Sequence, residues 1–136
     1  MKLRKIVIIA ILFLCFIFTA CTNENGIILF NSTPITQNNV LNDKKVFKQG
    51  ERVYYLFIAP QKIQNDFIRV QVFTITDKGH LGGEEVIRTK DYRLMKDERY
   101  YHTDYFTFWE SGKYVMQIFS HDNFTSPLAV NYFYVQ

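Results

Sequence analysis

The 136-residue chain is 48% hydrophobic and 21% charged, ordinary for a globular protein and enough for one domain but short for two. Its net charge of +3 is concentrated at the start. With Lys2, Arg4 and Lys5 set aside, 13 basic residues face 13 acidic ones, which excludes a basic nucleic-acid footprint. Aromatic residues make up 17%, and the abundance of Tyr and Phe leans toward strands.

Met1–Lys5 is a positive stretch, and Ile6–Phe18 is an unbroken apolar run. A run of ~7–15 residues has the length of a signal-peptide core, whereas a spanning helix needs ~20. Phe18-Thr19-Ala20-Cys21 closes the segment and resembles the lipobox of bacterial lipoproteins, with Phe18 where that family most often has Leu. The resemblance implies cleavage before Cys21, acyl chains on Cys21 and a membrane partner held through them. It divides the chain into a signal peptide (1–20), a lipidated tether with an edge strand (21–45) and a domain (46–136). Thr22 stands where Asp would favour the inner membrane, which tilts the expected location to the outer one. Two other arrangements fit the same residues: an uncleaved N-terminal anchor, and an ordinary signal peptide with an incidental Cys21. Cys15 leaves with the signal, so the mature domain has no thiol for a disulfide, a zinc site or nucleophilic attack.

Thr22–Lys45 is rich in Asn, with one apolar run, Ile27–Phe30, read as an edge strand. Glu51–Ala59 is an apolar and aromatic strand stopped by Pro60. In Phe67–Thr76, Ile68, Val70 and Val72 alternate with Arg69 and Gln71; then Phe73 and Ile75 take the other parity, the mark of a bulge or of a strand end covered on both faces. Asp77–Gly83 is a turn region, Glu84–Arg93 a more polar strand, and Asp104–Trp109, Lys113–Ser120 and Leu128–Val135 complete the series. About seven strands with turns every ~8–12 residues predict an all-β antiparallel sandwich, preceded by the signal-peptide helix. Glu110-Ser111-Gly112-Lys113-Tyr114 resembles the tyrosine corner of immunoglobulin-like and fibronectin-like domains, which implies a structural role for Tyr114. Trp109 is expected between the sheets.

No catalytic, cofactor or metal motif appears. His80, His102 and His121 fall in predicted turns without metal-ligand spacing. His102 with Asp104 lacks a third catalytic group, Gly79–Gly83 leads into a strand, and Asp66, Asp97, Glu98 and Asp122 lack the spacing of a calcium loop. Antiparallel order places the connections 60–66, 94–103 and 121–126 at one end of the sandwich. Asn65, Asp66, Tyr100, Tyr101, His102, His121, Asp122 and Phe124 are therefore the candidate binding loops, since aromatic and adaptable polar groups mix there. The leading expectation is a non-catalytic module that binds an envelope protein. The alternatives are a carbohydrate- or peptidoglycan-binding domain, favoured if Trp109 is exposed beside another aromatic, and a small apolar-ligand carrier.

Overall fold

The computed structural model describes residues 25–76 and 83–136. Its strands are β1 (Ile27–Asn31), β2 (Val46–Phe47), β3 (Arg52–Ile58), β4 (Phe67–Thr76), β5 (Gly83–Arg93), β6 (Tyr101–Thr107), β7 (Gly112–Ser120) and β8 (Ala129–Val135). They form a sandwich of two sheets, one ordered β1-β3-β6 and the other β2-β8-β7-β4-β5. In the lettering of immunoglobulin-like domains these are A-B-E and A′-G-F-C-C′. The all-β sandwich expected from the sequence is thus observed, with eight strands instead of about seven. The addition is β2, which pairs with β8 in parallel, whereas the other strand pairs are antiparallel. The predicted signal-peptide helix, Cys21 and His80 lie outside the described residues.

Alternation along each strand builds the core. Val53, Tyr55 and Phe57 of β3 face Ile68, Val70 and Val72 of β4 and Tyr114, Met116 and Ile118 of β7, all buried. Ile28 and Phe30 of β1 join them, so the sandwich includes a strand that the sequence reading placed on the tether. Phe133 of β8 packs against Phe30, Phe47, Phe108 and Tyr114 at centroid distances of 5.0, 5.9, 5.3 and 5.5 Å. Each fully buried side chain of this size contributes about 1.5–3 kcal/mol.

The parity change in the β4 sequence coincides with a bulge in its partner β5, while β4 itself keeps its alternation. The β4–β5 register slips between Val72 and Phe73, leaving Ile87 of β5 unpaired between Arg88 and Val86, while β4–β7 runs through unbroken. Phe73 is buried on the outer side of the slip and Ile75 is exposed beyond it.

At the same end of the sandwich, where Tyr114 pairs with Thr74, the Tyr114 hydroxyl donates to the Glu110 carbonyl at 2.6 Å, the geometry of a tyrosine corner. Trp109 corrects the sequence reading: it is 73% exposed, not held between the sheets. Phe108 takes the inward position directly after β6, so alternation turns Trp109 out. The indole lies over Gly50, where φ is +76° and a β-carbon would sit 2.6 Å from Trp109 Cζ3.

Candidate binding groove

The outer face of the three-stranded sheet is set by β3, whose residues after Arg52 are apolar or aromatic at both parities. Val53, Tyr55 and Phe57 fill the core, so Tyr54, Leu56 and Ile58 must point outward. Register assembles them into rows: Ile27–Ile58–Tyr101, Leu29–Leu56–Thr103 and Asn31–Tyr54–Tyr105. Tyr54 and Tyr105 lie 5.2 Å apart by centroid, with Arg52 over Tyr105 at 4.8 Å.

Residues 32–45 cross beside this face, and their asparagines explain how. Asn31 Oδ1 accepts from Ser32 N at 2.7 Å, while its Nδ2 donates to Asn42 O at 3.1 Å. Asn39 Oδ1 accepts from Thr36 N at 2.7 Å, and its Nδ2 donates to Pro34 O at 3.0 Å. Asp43 Oδ1 accepts from Phe30 N at 2.8 Å, and Lys44 N donates to Phe30 O at 2.8 Å, so β1 is held on its outer edge as well. Asn and Asp suit these turns because their short side chains bond nearby backbone groups.

Between this segment and the sheet lies an apolar groove of about 460 Å³. Ile35 and Val40 belong to the crossing segment, Leu56 and Ile58 to the sheet, and Tyr100 and Tyr101 to the start of β6; Thr36 and Gln37 complete it. None of these side chains is charged. Ala59 N donates to Tyr100 O at 2.8 Å, which fixes the tyrosine pair to the end of β3. Tyr100 is 53% exposed and Tyr101 42%.

The other sequence-predicted residues go elsewhere. Asn65 Oδ1 accepts from Phe67 N at 2.9 Å. Asp66 is ion-paired with Arg99 at 2.5 Å, and that guanidinium holds its carboxyl below the usual range. Arg99 also donates to Asn65 O at 2.8 Å, and Ile63 N to Arg99 O at 2.9 Å, so these loops are stitched together. His121 and Phe124 stand on the outside of the five-stranded sheet, where their rings meet edge-on at 5.3 Å. Arg69 lies 4.3 Å over Phe124 and pairs with Asp91 through two bonds of 2.8 and 2.9 Å. Asp122 accepts from Ser120 Oγ at 2.5 Å and borders a second, polar cleft of about 460 Å³ between residues 59–64 and 120–128. That cleft is chemically more committed: Asn123 Oδ1 already accepts from Thr125 N, Thr125 Oγ1 and Ser126 N.

His102 corrects the sequence reading most. It was expected in a turn, but β6 begins at Tyr101, so His102 is the second residue of a strand and faces inward, 7% exposed. No cluster of three His, Cys, Asp or Glu able to hold a metal occurs among the described residues.

The sequence reading found Tyr100 and Tyr101 but missed Ile35, Val40, Leu56 and Ile58. The signal for two of them was present, since a strand apolar at both parities needs cover on both faces. Compared with protein-family models and with curated proteins, the chain matches none.

Proposed function

We propose that this chain is a lipid-anchored envelope lipoprotein whose sandwich is a non-catalytic binding module, and that the groove beside Tyr100 and Tyr101 holds an apolar, uncharged segment of a partner protein. The observation that carries the reading is the groove itself: an apolar lining without charge, flanked by two half-exposed tyrosines. Burying apolar surface supplies the attraction, and tyrosine offers large contact area with few rotatable bonds. The lack of charge selects against charged segments, whose desolvation nothing in the groove offsets.

A photo-crosslinking residue placed at Tyr100 in cells, with one at Phe124 on the opposite face as control, tests this. The expected result is an adduct to one defined envelope protein from position 100 and none from 124. A peptide copied from the crosslinked segment should then bind the purified domain and lose at least tenfold in affinity with Tyr101→Ala. Adducts only from 124, or only to lipid or glycan from 100, would overturn the groove reading. The anchor is tested separately by mass spectrometry of the mature N-terminus, which should carry acyl chains on Cys21; retention of residues 1–20, or a free thiol, contradicts it.

One observation favours a second reading. Trp109 is exposed, as a carbohydrate platform requires, though none of the described ring pairs includes it. It is the sole tryptophan, so its fluorescence reports directly. A saturable change on titration with peptidoglycan fragments would support a glycan site there, and an unchanged spectrum would remove it.

A further inference from the structure

The two sheets meet along a seam between β5 and β6 where a polar bridge at the surface covers a group of buried polar atoms. Lys90 Nζ at 2.9 Å and the Tyr92 hydroxyl at 2.5 Å, both from β5, donate to the same oxygen, Asp104 Oδ2 of β6. Behind this bridge sits the His102 ring, 4.2 Å from the Tyr92 ring and 6.0 Å from Tyr55. Both His102 nitrogens are buried and make no hydrogen bond; the same is true of the Tyr55 hydroxyl, which looks toward Tyr92. These three are the buried side-chain nitrogens and oxygens without a partner among the described residues.

Such a ring is tolerable only while neutral. A protonated imidazole carries two N–H donors and a charge, and a buried charge without partners is strongly disfavoured. The groups around it offer it no hydrogen bond. From β3 comes the Tyr55 phenol, from β5 Lys90 and Tyr92, from β6 Asp104, whose Oδ2 is already bonded twice, and from the preceding connection Glu98. Burial pushes the His102 imidazole below its ordinary value; Glu98 and Asp104 pull it back and Lys90 adds to the depression.

We propose that His102 is an acid-sensitive latch: on acidification its protonation opens the β5–β6 seam and loosens the groove wall carried by its neighbours Tyr100 and Tyr101. The last step rests on the groove reading above; the opening of the seam does not. The link is one residue long. His102 pairs with Phe57 inside the sandwich, while Tyr101 pairs with Ile58 and faces the groove. The direction follows from proton linkage. The unfolded or opened chain takes up its proton near pH 6.5, the closed one only at lower pH. The closed form is therefore fully favoured above about 6.5 and loses ground as pH falls through the interval below, by at most about tenfold in its equilibrium constant per pH unit.

Hydrogen exchange of the purified domain at pH 7.0 and 5.0, corrected for intrinsic rates, reads the opening without any partner. Residues 90–93 and 101–105 should lose severalfold protection at pH 5.0, while the centres of β7 and β8 keep theirs. His102→Phe, or His102→Leu should the larger ring not fit, should abolish the difference. Equal protection at both pH values in the native protein overturns the latch, as does a pH-dependent loss that survives both substitutions. Should neither variant fold, NMR titration of the native imidazole decides: a midpoint clearly below 6.5 supports the latch, and one at or above 6.5 overturns it. Where the seam opens but the crosslinked peptide binds equally at both pH values, the coupling to the groove falls; where no crosslink forms from position 100, the groove reading falls and the latch stands.

Discussion

The two outer faces of the sandwich are built from the same alternation but finished differently. On the five-stranded sheet the outward row Thr89–Gln71–Gln117–Val130 lies beside Asp91–Arg69–Phe119, with Arg69 and Asp91 paired, Phe124 under the guanidinium, and Lys113 4.7 Å over Tyr132. Two of its aromatic rings, Phe124 and Tyr132, are capped by cations. On the three-stranded sheet, aliphatic and tyrosine rows face outward with a single cation, Arg52, over Tyr105, and cover comes from a separate asparagine-pinned segment. Rings already covered by the face's own cations have less left to offer a partner. A face covered by a segment that leaves a groove still has apolar surface to bury.

The sharpest way to break this comparison is to attack what both faces share. Phe133→Ala removes a fully buried ring that touches four other aromatics and should cost about 3–5 kcal/mol. Chemical denaturation followed by two probes, one per sheet, should give coincident transitions; separate transitions would mean that the faces belong to independent units. Asn31→Ala acts on one face alone. It removes the anchor of the crossing segment and should cost about 1–3 kcal/mol, with faster hydrogen exchange confined to β1 and residues 32–45. Faster exchange around Arg69 as well would erase the distinction. Tyr114→Phe deletes the hydroxyl bond to Glu110 and should lower stability by about 1 kcal/mol without changing peptide binding to the groove. The smallest effect is expected from Arg69→Ala. The pair it forms is solvent-exposed, so any fall in melting temperature should vanish in 1 M salt; a persistent loss would mean that the outer charges hold the sheet.

Much of the scaffold was legible because strand alternation is local. Ile68, Val70 and Val72 announced their face, Phe73 and Ile75 announced the slip, and Glu110–Tyr114 announced the corner that the Tyr114 hydroxyl makes. Val46–Phe47 was not legible, since two residues have no period and their partner, β8, lies near the far end of the chain. Trp109 and His102 were misread for one shared reason: β6 starts and ends about three and two residues earlier than its composition implied. The groove could not be read at all as a unit. It joins residues 35–40, 56–58 and 100–101, and only the pairings of β3 with β1 and β6 bring these together. The asparagines of residues 31–42 look like a flexible tether in one dimension and prove to be turn-formers in three.

The way β1 is gripped has a mechanical consequence. It is bonded to β3 over five register pairs, to Lys44 and Asp43 on its outer edge, and to β8 through Asn131 Nδ2 on Ile28 O at 2.5 Å, and just before both strands Gly26 N donates to Leu128 O at 2.7 Å. The described chain enters beside the start of β8, roughly 20 Å from where that strand finishes. Tension drawn between those two points runs along the strand axes, so the bonds of β1 are sheared together instead of being peeled one after another. A domain loaded in this way should yield at high force, and its first failure should be the release of β1 as one piece.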